Sequence, residues 1–114
     1  MKQLINQIFK STIKNGGASY NLNGHSPSKG FMVSNFGTEK KIPLNQFNKK
    51  VLKNYIKANK KHLKNAFIGT WIDSNIVYLD ISKKEKDKNK ALEIAKKNKQ
   101  LAIFNLSNFE SIYL

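Results

Sequence analysis

An α+β fold is what the sequence predicts: three helices and three antiparallel β-hairpins in the order α-ββ-α-ββ-α-ββ, with the helices packed on the sheet. Three observations lead there. Apolar residues recur at helical spacing in three separate stretches. Strand-length runs rich in Ile, Val, Phe and Tyr come in pairs between them. Polar turn residues join the members of each pair, which makes those strands antiparallel. No linker or compositional break interrupts the 114 residues, so residues 1–114 are read as one domain.

The first helix rests on Leu4, Ile5, Ile8, Phe9, Thr12 and Ile13, and Gly16-Gly17 supplies its C-terminal stop. Residues 18–22 and 30–36 read as strands around a polar loop from Asn23 to Lys29. Pro43 marks the approach to the second helix and Asn48 is its expected cap. Residues 66–73 and 76–82 form the clearest hairpin, closed by Ser74-Asn75. A two-residue turn sets Trp71 opposite Tyr78, Ile72 opposite Val77 and Gly69 opposite Asp80. One face then gathers Ile68, Thr70, Ile72, Val77, Leu79 and Ile81 as core; the other holds Trp71, Tyr78, Asp73 and Asp80.

A lysine-rich connector, residues 83–90, follows. Ser82 and Glu85 have capping-box spacing, and Asp87 offers a later cap. Ala91, Leu92, Ile94 and Ala95 then give the third helix, ending near Asn98. Residues 101–106 and 110–114 finish as a hairpin around Ser107-Asn108.

The second helix carries the strongest functional signal. At 100° per residue from Val51, the apolar residues Phe47, Val51, Leu52, Tyr55, Ile56 and Leu63 fall between roughly −40° and +140°. Lys49, Lys50, Lys53, Lys57, Lys60, Lys61 and Lys64 fall between roughly 160° and 280°, with no acidic residue among them. Like charges at i,i+4 destabilise a helix, so folding gives no reason for this strip. An anionic contact surface is the expectation; a solvated face in a lysine-rich chain is the bland alternative.

Net charge reinforces the point. All 21 basic residues are Lys, Asn occurs fifteen times, and the balance is +14. A/T-rich coding bias accounts for Lys in place of Arg but not for the shortage of acids. The charge is also uneven: residues 45–65 carry +7 and 83–100 carry +5, whereas 66–82 sum to −2. A nearly neutral sheet under a basic helical layer is implied. Lys binds phosphate as a point charge and lacks the fork that reads guanine, so sequence-specific readout is not expected.

Other chemistry finds little support. No cysteine is present, which removes disulfides and thiolate sites. His25 and His62 have no partner at useful spacing, so no catalytic residue is assigned. Asp73 and Asp80 lack further ligands for a metal, and no phosphate-binding glycine loop occurs, so neither metal nor cofactor is expected. No apolar run approaches a membrane span, and the N-terminus lacks a signal-peptide pattern; a cytoplasmic protein without a membrane partner is expected. Trp71 and Tyr78 invite base stacking, but packing of the pair beneath a helix is the favoured expectation.

From Gly69 onward the chain resembles a group of small proteins encoded by phages, prophages and other mobile elements. The matching residues are Gly69, Trp71 and Asp73, then Val77-Tyr78-Leu79-Asp80-Ile81-Ser82. Ala91 and Ala95 follow, and then Gln100-Leu101-Ala102-Ile103-Phe104-Asn105-Leu106. Gly16-Gly17, Gly30-Phe31-Met32-Val33-Ser34 and Ile42-Pro43 match more loosely. Thr70 stands where a second glycine is common, and Asn105 where aspartate is usual. These motifs are architectural and name no chemistry.

The resemblance implies a mobile-element origin, in which small non-enzymatic products are often antagonists of host defence, anti-CRISPR inhibitors among them. A protein at +14 is no acidic mimic of DNA. The expected partner is therefore anionic: a CRISPR effector ribonucleoprotein, or naked RNA or DNA bound by a phage accessory protein. The residues expected to meet it are the seven lysines of the strip, supported by Trp71 and Tyr78.

Overall fold

The computed structural model describes residues 1–114 apart from Phe36, Leu101 and Phe109. The expected ends of two strands, at Phe36 and Leu101, lie outside the described residues. Helix α1 spans Lys2–Asn15, and its apolar stripe buries Leu4, Ile5, Ile8 and Thr12. Gly16 caps it in the left-handed region at φ 79°, donating its N–H to the Thr12 carbonyl. Strands β1 (Gly17–Tyr20), β2 (Phe31–Ser34) and β3 (Lys40–Pro43) precede helix α2 (Lys49–Ala58). Strands β4 (Phe67–Asp73) and β5 (Ile76–Glu85), helix α3 (Lys88–Lys97), and strands β6 (Ala102–Asn105) and β7 (Glu110–Tyr113) complete the chain.

The β4–β5 hairpin is the spine. Ser74 and Asn75 have φ of 51° and 64°, the two positive values that a tight two-residue turn with native twist requires. That turn sets the register, with Trp71 opposite Tyr78, Ile72 opposite Val77 and Gly69 opposite Asp80, as the sequence predicts. One seven-stranded antiparallel sheet grows from it in the order β1-β4-β5-β2-β6-β7, and β3 also pairs with β5.

The α+β class and the three helices stand as expected, but the first expected hairpin does not form. β1 pairs with β4, and β2 pairs with β5 and β6. Ten residues separate β1 from β2, far more than a hairpin turn needs, and longer partners were available to each. Strand β3 is an addition, and residues 83–85 of the expected connector continue β5 against β2. Asp87, the later of the two caps, accepts from the Asn89 N–H at 2.9 Å to start α3.

Strands β2 and β3 are two halves of one long edge against β5. β2 covers residues 82–85 of β5 and β3 covers 76–79. At Ile81 the ladder is bridged by other means. The Asn35 N–H donates to the Ile81 carbonyl at 2.7 Å, and the Thr38 hydroxyl accepts from the Ile81 N–H at 3.2 Å. That hydroxyl donates in turn to the Asn35 carbonyl at 2.9 Å. Tyr55 of α2 donates its hydroxyl to the Thr38 carbonyl at 2.6 Å, which ties the bridge to the helical layer.

All three helices lie on one face of the sheet. Ile68, Val77, Leu79 and Ile81 pack with Leu4, Ile5 and Ile8 of α1 and with Leu52, Tyr55 and Ile56 of α2. Strand register puts Val33 and Ile103 on that same face, where they pack with Ala91 and Ala95 of α3. The α1 contact includes one buried polar chain. Thr12 donates to the Ile8 carbonyl at 2.7 Å, so Thr70, 2.5 Å from the Thr12 hydroxyl oxygen, is the donor in that pair. Among the described residues no helix packs on the opposite face, although Met32 and Ser82 are buried there.

Candidate functional site

Helix α2 starts where Asn48 accepts from the Val51 N–H at 2.9 Å. Leu52, Tyr55 and Ile56 are buried, which turns Lys49, Lys50, Lys53 and Lys57 to solvent. Lys49 and Lys50 sit in the first turn, at the positive end of the helix dipole, and no acidic residue accompanies them there. Both placements cost folding stability. Lys49 recovers some of this by lying 5.8 Å from the Phe9 ring, which stacks on Phe47. Among the described residues, none of the seven lysines is paired with a carboxylate.

The strip does not continue as one helical face to Lys64. Helix α2 ends at Ala58, because Asn59 satisfies the Tyr55 carbonyl with both its backbone N–H and its side-chain amide, at 3.1 and 2.9 Å. A 3-10 turn follows at Lys60–His62, and Asn65 adopts φ 56° before β4 begins. This path still buries Leu63 and Ala66. It redirects Lys61 and Lys64 to an open recess of about 350 Å³ at the end of the helix, lined also by Asn35, His62, Asn65 and Lys83. The cationic surface is therefore a straight face on α2 that bends into a concavity.

Trp71 and Tyr78 are not beneath a helix. Trp71 is 58% exposed, because the helices occupy the other face of the hairpin. Its ring lies 5.6 Å from that of Tyr78 at a 34° tilt, and the Lys41 ammonium sits 5.7 Å from the Tyr78 ring centre. Gly17 stands opposite Trp71 in the ladder, and Lys41 opposite Tyr78. The structure thus sets the aromatic pair and the lysine face on opposite sides of the sheet, and one flat partner surface does not touch both. Lys41 was missed from the sequence because β3 carries no recognisable strand pattern. Lys83 was missed because it was read as connector.

Asp80 lies beside the aromatic pair, half-buried, in the space that Gly69 leaves open; a Cβ at Gly69 would collide with its carboxylate. Burial pushes the Asp80 carboxyl above the usual carboxylate range. The Ser34 hydroxyl, 2.6 Å away, pulls it back, the Glu39 charge raises it again, and the Ser82 hydroxyl lowers it. With the folded-state value raised, the ionised carboxylate costs stability at neutral pH. That cost falls away as pH drops through the folded-state pKa and is gone below the unfolded one. Asp80→Asn is expected to melt higher than the parent at pH 7 and to lose that advantage near pH 3. Thermal melts at both pH values check it; an advantage of equal size at pH 3 would refute the electrostatic origin.

Among the described residues, no group of three or more His, Cys, Asp or Glu is placed to hold a metal, and no helix is long and apolar enough to cross a membrane. Comparison with protein families, curated proteins and solved structures finds no match to this chain.

Proposed function

We propose that the protein is a non-enzymatic binding protein that docks its lysine face on the phosphates of nucleic acid held by a larger ribonucleoprotein. Its role in this reading is antagonism of host defence, with a CRISPR effector as the specific target. The observation that supports docking is the exposed lysine set on α2 and the turn after it, free of carboxylate partners and placed at a cost to helix stability. The host-defence role is supported by the resemblance to mobile-element proteins. The experiment is a pull-down from a host carrying CRISPR systems, set beside a gel shift with naked nucleic acid. Capture of an effector complex, with little affinity for naked nucleic acid, is the expected result.

A second reading, a phage accessory protein that binds single strands without sequence preference, is favoured by one observation. Trp71 is exposed beside Tyr78 and Lys41 on the sheet face away from the helices, the composition of a base-stacking platform. Trp71 is the sole tryptophan, so its fluorescence reports this directly. In this reading a single-stranded oligonucleotide quenches the emission, and Trp71→Ala weakens its binding by about 1–3 kcal/mol with little loss of stability. Unchanged emission at saturating oligonucleotide would discard the platform.

A further inference from the structure

We infer that the recess formed by Lys61, Lys64, Lys83, His62, Asn35 and Asn65 is a binding site for a phosphate monoester. Three separate parts of the chain build it. Lys61, His62, Lys64 and Asn65 come from the segment between α2 and β4, Asn35 from the bridge between β2 and β3, and Lys83 from β5. Three ammonium-bearing side chains line one concavity of about 350 Å³, and no carboxylate is among the six lining residues.

Gathering like charges in a concave place opposes folding, and a bound anion relieves that opposition. The two asparagines supply amide donors beside the ammonium groups, which suits an oxyanion with several acceptor oxygens. A monoester carries about −1.5 to −2 charges at neutral pH, against −1 for each internal backbone phosphate, so three lysines match the former better. The volume is at the small end of ligand sites, about 300–1,000 Å³, and suits a phosphate with the sugar that bears it.

This site extends the phosphate-docking reading, yet it is separable from it, because Lys83 lies on β5 and outside the lysine strip. The test begins with inorganic phosphate titrated against chloride at matched ionic strength, with the His62 ring protons followed by NMR. A saturable His62 shift in the parent, lost in Lys83→Gln, is expected; no saturable shift, or an unchanged one in Lys83→Gln, overturns the site. Two single-stranded oligonucleotides of one sequence, with a 5′-phosphate or a 5′-hydroxyl, then identify the source. About tenfold tighter binding of the 5′-phosphorylated strand, the worth of one charge-assisted contact, assigns a nucleic-acid terminus. Equal affinity alongside a saturable phosphate shift assigns a small phosphate monoester. A Lys50, Lys53 and Lys57 to Gln variant loses docking on the α2 face and keeps the phosphate titration, so the two readings fail separately.

Discussion

Replacing Lys53, Lys57, Lys60 and Lys64 together with Glu is expected to abolish the proposed binding to an anionic partner while the melting temperature stays level or rises. All four side chains are exposed, so the change removes no packing. Lys53 follows Lys49 by four residues and Lys50 by three, so Glu at 53 converts repulsions into attractions worth about 0.2–0.5 kcal/mol per pair. Glu at 57 keeps a like-charge pair with Glu at 53, as Lys57 has with Lys53, so that position changes little. Under the proposed docking, binding moves the other way, because each reversal puts repulsion where a lysine would meet a phosphate. Calorimetry on the variant and a binding assay against the captured complex measure both halves. Full binding by a folded variant would show the lysines to be only a solvated face.

Thr38→Val is expected to lose about 2 kcal/mol of stability, or roughly 10 °C in melting temperature. The hydroxyl of Thr38 stands in for a missing rung of the ladder at Ile81, in the gap between β2 and β3. Valine fills the same volume but leaves the buried Ile81 N–H without an acceptor. Thr38→Ser keeps the hydroxyl and is expected to recover most of the loss. Tyr55→Phe removes the 2.6 Å bond to the Thr38 carbonyl and costs about 1 kcal/mol. Chemical denaturation of the three variants measures each value. A Thr38→Val protein as stable as the parent would mean that water satisfies this rung. The bridge also matters for the recess, since it holds Asn35 at the recess wall.

The hairpin at Trp71 and Tyr78 was legible down to its register. Alternation of apolar and polar residues fixes the two faces, and a two-residue turn fixes the pairing. The start of α2 was equally plain from Asn48. Its end was not. The apolar pattern stays in phase to Leu63, because a 3-10 turn after Asn59 delivers Leu63 to the core much as a continued helix would. Periodicity therefore carried seven lysines along one face, where the structure bends the last of them into a recess.

The pairing of β1 and β2 was hidden for a different reason. Strand propensity says that a segment is extended, and the choice between near and distant partners belongs to the assembled sheet. The exposure of Trp71 was hidden in the same way. Its alternation assigns it to the face away from Ile72, and only the packing of α1, α2 and α3 on the Ile72 side decides which face the helices leave. Lys83 joins Lys61 and Lys64 across some twenty residues of chain, a meeting that no local pattern encodes.

The most direct measurement is the affinity for the partner as a function of salt concentration, for the parent and for the four-Glu variant. Phosphate docking through the lysine face predicts that log K falls linearly with log salt, at about −0.9 or −0.7 per phosphate for duplex or single strand. Several lysines acting together make the total slope steep, and the variant shows no measurable binding at any salt concentration. A parent whose affinity is flat across the titration, or a variant that binds as the parent does, contradicts the account.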